Sequence, residues 1–125
     1  MKFVGKKRVI AVDANYSQIT KLEKFWNEMR DQFPDDFLYG LGANMNSKSI
    51  DYYIGKIDEQ WQGGIEFIDI PDDGWEEFSC KEDDAEIERL YRDIFKQRTP
   101  DYELESIKNG IFTTKVHFPN MDSER

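Results

Sequence analysis

Two stretches of this chain place apolar side chains at three- and four-residue intervals, and short runs rich in β-branched residues lie between them. An apolar helical stripe must be covered by another element, so this arrangement constrains the fold more than any other feature. In the first stretch Ile19, Leu22, Phe25, Trp26, Met29 and Phe33 fall on one side of an α-helix. Ser17 stands where an N-cap belongs, and Pro34 with Asp35-Asp36 stops the helix. In the second, Glu82-Asp83-Asp84 suits the positive end of a helix dipole, and Ile87, Leu90, Tyr91 and Ile94 form the stripe. Pro100 lies beyond its end.

Around these helices the chain reads as strands. Arg8 to Asp13, Phe37 to Ala43, Ser49 to Ile57, Ile65 to Ile70, Trp75 to Lys81, Tyr102 to Ile107 and Ile111 to Phe118 carry the apolar and β-branched runs. Asn44 to Lys48 has the composition of a hairpin loop, Pro71-Asp72-Asp73-Gly74 that of a turn, and Asn109-Gly110 is a tight-turn signal. The polar segment Asp58 to Gly64 reads as a joint between two halves, approximately 8–57 and 65–119, and a polar tail follows Pro119. The expected fold is α+β: duplicated strand-helix-hairpin units in one domain spanning 1–125. The sheet is mostly antiparallel and both helices cover one face.

Composition narrows the function. Aromatic residues make up 14% of the chain, which excludes a disordered segment. The net charge of −9, with no four basic residues together, argues against direct nucleic-acid binding and against attraction to anionic lipid. No run approaches the 18 or so apolar residues of a membrane span, and Lys2, Lys6, Lys7 and Arg8 interrupt any signal-type apolar core. With Cys80 the only cysteine, the expectation is a soluble protein of a reducing cytoplasm. No Gly-x-Gly-x-x-Gly or Walker-type sequence is present, so no nucleotide cofactor is expected. His117 is the sole histidine, and one histidine among scattered carboxylates makes no zinc site. There is no Gly-x-Ser-x-Gly elbow, and Cys80, in an apolar strand, reads as packed rather than nucleophilic.

Several landmarks support a comparison. Phe67-Ile68-Asp69-Ile70-Pro71 followed by Gly74-Trp75-Glu76-Glu77-Phe78-Ser79-Cys80 resembles the gyrase-inhibitor-like family, the effector-binding domains also attached to AraC-type and multidrug-responsive transcription regulators. Leu90-Tyr91-Arg92-Asp93-Ile94-Phe95 is similar to that family's second helix. Lys115-Val116-His117-Phe118-Pro119 sits where its last strand often reads Glu, any residue, Tyr, any residue, Pro. The resemblance covers roughly Val9 to Pro119. It implies two strand-helix-hairpin units enclosing a cleft for hydrophobic, often cationic or planar, small molecules. Some relatives inhibit DNA gyrase and some stand-alone members are hydrolases. Lys115 departs from the pattern by replacing the carboxylate of the cleft, which points to a neutral or anionic ligand.

The candidate ligand-binding residues are Trp26, Tyr52, Tyr53, Trp75, Phe78, Phe112, Lys115 and His117, with no catalytic residue assigned. Aromatic rings give stiff contact area and suit either a cleft wall or a core. Adjacent Tyr52 and Tyr53 must point to opposite faces, so only one lines the cleft. Thr113, Lys115 and His117 share one face of the last strand; Phe112, Thr114, Val116 and Phe118 share the other, the more apolar and helix-covered one. Lys115 and His117 therefore belong to a cleft or simply to solvent. The expected function is sensing or sequestration of an aromatic or amphipathic compound, with transcriptional effects requiring a partner protein, or a homodimer. The rivals are hydrolysis of an electrophilic metabolite, using Tyr52 or Tyr53 with a carboxylate such as Glu77, and inhibition of a DNA-processing enzyme through an acidic surface.

Overall fold

The computed structural model describes residues 1–12, 17–32, 38–60 and 66–119. The elements run β1 (Lys2–Ala11), α1 (Ser17–Gln32), β2 (Tyr39–Ala43), β3 (Ser49–Ile57), β4 (Glu66–Asp69), β5 (Trp75–Lys81), α2 (Asp84–Gln97), β6 (Tyr102–Lys108) and β7 (Ile111–His117). The strands form one seven-stranded sheet in the order β4-β1-β3-β2-β6-β7-β5, and every pair is antiparallel. Leaving aside β4, the order reads the same from either edge when β1, β3 and β2 are matched to β5, β7 and β6. Two strand-helix-hairpin units thus meet along the β2–β6 seam. The fold is α+β with both helices on one face.

Local chemistry explains the elements. Asp83 caps α2 by accepting from the backbone N–H groups of Ala85 and Glu86, at 2.9 and 3.2 Å. Asn109 and Gly110 both take positive φ, 54° and 78°, as a two-residue hairpin between β6 and β7 requires. β1 begins at Lys2, six residues before the expected Arg8, because its basic side chains find partners along the strand. Arg8 pairs with Glu28 and lies 4.4 Å from the Phe25 ring centroid, and Lys7 reaches Asp51 at 3.7 Å. Asp13, Phe33, Pro34, Asp35, Asp36, Phe37, Gly64 and Ile65, named in the sequence reading, lie outside the described residues, as do the side chains of Ser17 and Ile19.

The link between β4 and β5 controls the curvature. These strands occupy opposite edges, yet only Ile70 to Gly74 join them. Such a link spans about 22 Å at full extension, whereas the outer strands of a flat seven-stranded sheet lie roughly 29 Å apart. The sheet must curl toward the face without helices. Trp75 Nε1–H donates to the Pro71 carbonyl at 2.8 Å, and the backbones of Met1 and Ile70 bond to each other at 2.8 Å in both directions. The curled face buries Phe3, Leu41, Ala43, Tyr53, Ile70 and Leu104. On the other face Ile10, Phe25, Met29, Tyr52 and Ile54 pack beneath α1, while Ile94, Val116 and Phe118 pack at α2.

Curling brings β1 and β3 close together at the facing pair Gly5 and Gly55. A Cβ at Gly55 would lie 1.9 Å from the Val4 carbonyl oxygen, and one at Gly5 would lie 2.2 Å from that of Ile54. Only glycine permits this backbone approach. At Gly42 the nearest atoms to a Cβ are 3.7 Å away or further, so the site tolerates a methyl group. Gly55→Ala is therefore expected to cost about 2–3 kcal/mol or more, while Gly42→Ala stays within about 1 kcal/mol of wild type. Urea denaturation of the two variants checks the contrast, and equal losses would contradict it.

Candidate functional site

The seam between the two units gives the helix-covered face an unusual centre. β2 contributes Gly40 and Gly42 to that face, a glycine lane between β3 and β6 that Tyr52 and Trp26 reach across at Gly40. Across the seam Gly40 faces Glu105 and Gly42 faces Glu103. Two carboxylates of one strand thus stand in the middle of the sheet, between the regions covered by α1 and α2.

Glu105 is the hub. Tyr52 of β3 donates its O–H to Oε1 at 2.7 Å, and Tyr91 of α2 donates to Oε2 at 2.7 Å. Trp26 of α1 donates its indole N–H to the Tyr52 oxygen at 3.1 Å, and the Thr114 hydroxyl of β7 meets the Tyr91 oxygen at 3.0 Å. With each phenol proton committed to Glu105, Thr114 is the donor to Tyr91. Residues of five elements, from both units, therefore converge on one carboxylate. The reach of Tyr52 depends on Gly40, where a Cβ would lie 2.0 Å from the Tyr52 oxygen and 2.7 Å from the Trp26 ring.

Electrostatics follow from this enclosure. Burial, and then the negative charge of Glu105, push the Tyr52 and Tyr91 phenols well above their ordinary range, so both remain donors. Burial also raises Glu105, and the hydrogen bonds from the two phenols offset part of that rise. Glu103 is pushed up to about 8, first by desolvation and then by the Glu105 charge. Among the described residues neither carboxylate has a salt-bridge partner. Both residues are half-buried rather than fully enclosed.

The sequence-predicted residues separate onto the two faces. Trp26 and Tyr52 belong to the Glu105 network, and Phe112 borders it through an edge contact with Tyr91, centroids 5.9 Å apart. Phe78 is on the same face but packs in the α2 cluster with Ile94 and Val116. Tyr53 lies on the curled face, edge-on to Phe3 at 6.3 Å. Trp75 and His117 lie there too, 5.5 Å apart, with His117 Nδ1 2.7 Å from Asp101. Lys115 lies on the face without helices, as the alternation along β7 indicates, beside Glu77 at 3.9 Å and about half exposed. Glu103 and Glu105 belong to the other, helix-covered face.

Glu103, Glu105, Tyr91, Thr114, Gly40 and Gly42 were not among the predicted site residues. Their signal was the alternation of Glu103 and Glu105 around Leu104, matched by Gly40 and Gly42 around Leu41. Among the described residues no group of three or more His, Cys, Asp or Glu side chains is placed to hold a metal ion. Nor is any described helix long and apolar enough to cross a membrane. No protein-family model, curated protein or solved structure matches the chain.

A pH dependence of stability follows from Glu103. An unfolded glutamate releases its proton near 4.5, whereas folded Glu103 keeps it until about 8. Between those values the folded state binds the extra proton, so this group's contribution is complete below pH 4.5 and is lost as pH rises through 8. Glu103→Gln removes that slope. Chemical denaturation at pH 5 and pH 8 is expected to show the variant gaining on wild type by on the order of 2–4 kcal/mol. Parallel stability curves would contradict the assignment.

Proposed function

We propose that this protein binds flat, amphipathic organic cations in the glycine lane at the β2–β6 seam, as a small-molecule-binding domain of the gyrase-inhibitor-like class. The observation that carries the reading is Glu105, a carboxyl group fixed by two phenols, with no counterion among the described residues, bordered by the aromatic side chains of Trp26 and Tyr52. A buried carboxylate and a ligand cation offset each other's loss of hydration, so such a site favours positive charge. Trp26 and Tyr52 add aromatic surface suited to a delocalised cation. The duplicated topology and the landmarks around Trp75 and Leu90 agree with that family. The biological role would be sensing or sequestration in the cytoplasm, with any effect on transcription passing through a partner protein.

The test compares two ligands of the same outline, permanently charged 1-methyl-4-phenylpyridinium and uncharged 4-phenylpyridine, at pH 7.5. Binding is followed by tryptophan fluorescence, since Trp26 is tied to Tyr52. The cation is expected to bind at least about tenfold more tightly, consistent with a charge-assisted contact of about 1.5–3 kcal/mol. Glu105→Gln should abolish the preference. Equal binding of the two ligands, or a preference that survives Glu105→Gln, would overturn the reading.

One observation favours a second reading, hydrolysis of a strained electrophile. A carboxyl group that keeps its proton at neutral pH is matched to general-acid work, and Glu103 is such a group. Turnover of an epoxide panel that disappears in Glu103→Gln would establish it, and the absence of turnover across the panel would dismiss it.

A further inference from the structure

We propose that Asn109 is a site of spontaneous chemical modification: the Gly110 nitrogen attacks its side-chain amide, and the isoaspartyl product loosens the β6–β7 hairpin that carries Glu105 and Thr114. The inference is independent of the cation-binding reading. Asparagine is a labile residue, most of all before glycine, where no side chain hinders the attacking nitrogen. Folding protects such an amide by holding either the side chain or that nitrogen in place.

The structure separates the described asparagines on this ground. Asn27 lies within α1, where the N–H that follows it belongs to the helical ladder. Asn44 donates its side-chain amide to Asp51 at 2.8 Å. The side-chain oxygen of Asn46 accepts from the backbone N–H groups of Lys48 and Ser49, at 2.8 and 3.0 Å. Asn109 has no side-chain hydrogen bond among the described residues. It stands with Gly110 at an exposed tip, and the β6–β7 ladder ends at Lys108 and Ile111, so the Gly110 N–H lies beyond it. Nothing stands within 4 Å of the place a Gly110 Cβ would occupy. A free amide, an unladdered nitrogen and open space coincide at this turn.

The chemistry needs only water. The Gly110 nitrogen bonds to Asn109 Cγ, the bond from Cγ to the amide nitrogen breaks, and ammonia leaves with the Gly110 amide proton as its third hydrogen. Water then opens the five-membered imide. Attack at Cγ gives ordinary aspartate. Attack at the main-chain carbonyl leaves the backbone running through Cβ and Cγ, which adds one atom to the loop.

That extra atom falls where the fold is least tolerant. Asn109 and Gly110 hold φ of 54° and 78°, the pair of values that a two-residue hairpin turn requires. The turn sets the register that places Glu105 opposite Thr114. The Gly110 carbonyl also accepts the Glu82 N–H at 2.8 Å, one residue before Asp83, the cap of α2. Conversion therefore weakens both the strand pairing beneath the Glu105 hub and the entry to the helix that supplies Tyr91.

The test incubates the full chain at pH 8.5 and 37 °C and follows its glutamate-cleaved peptides by tandem mass spectrometry, with isoaspartyl residues identified by enzymatic methylation. Asn109 is expected to be half converted before Asn44 or Asn46 gains measurable acid. In urea, where its hydrogen bonds are lost, Asn46 should begin to convert as well. The isoaspartyl form, separated by ion exchange, should unfold at a lower urea concentration than Asn109→Asp, which carries the same charge on an unaltered backbone. Conversion of Asn44 or Asn46 ahead of Asn109 in the native chain overturns the site, as does an Asn109 that converts only in urea. An isoaspartyl form as stable as Asn109→Asp overturns the structural consequence.

Discussion

A carboxyl group at the centre of a sheet is tenable only while hydrogen-bond partners stay pointed at it, and much of this molecule is arranged to keep them there. Glu105 receives one phenol from β3 and another from α2. Those phenols are oriented in turn by Trp26 on α1 and Thr114 on β7. The network therefore spans both strand-helix-hairpin units, and displacing either helix leaves a buried oxygen or hydroxyl unsatisfied, a loss of about 1–3 kcal/mol per group. The α1 cluster and the α2 cluster are packed separately. On this face the polar hub, rather than continuous apolar packing, bridges them.

Glycine at alternate positions of β2 makes the hub possible. A side chain at Gly40 would occupy the space of the Tyr52 hydroxyl, and one at Gly42 would extend toward Glu103. Neither position serves a turn. A strand interior usually favours larger residues; at Gly40 the missing side chain is replaced by the Tyr52 hydroxyl and the Trp26 ring, which admits a hydrogen bond across the strand.

Much of the architecture was legible in the chain because it rests on local periodicity. The stripe from Leu22 to Met29, the acidic entry to α2 and the Asn109-Gly110 turn each act over a few residues, where sequence and structure correspond closely. The start of β1 was not legible, since Lys7 and Arg8 are paired with Asp51 and Glu28, which are distant in sequence. The site was half legible. Alternation sorted the residues of β7 correctly between two faces, and adjacency separated Tyr52 from Tyr53. Alternation does not say which strand lies beside which, however. Glu103 and Glu105 look like the solvent side of an ordinary strand until β6 is known to pair with β2. Tyr91, spaced as a core residue of its helix, hid a polar role behind an apolar pattern.

The short strap from Ile70 to Gly74 has a consequence for how the chain reaches this state. It draws the sheet's outer edges together around an interior to which Phe3, Leu41 and Tyr53 contribute early and Leu104 late. As synthesis proceeds, the first unit can assemble its three strands, yet its inner face has no cover until β6 emerges. The mature protein thus has high contact order, with closure waiting on the C-terminal strands. Until then the nascent first half presents apolar surface of the kind that chaperones engage.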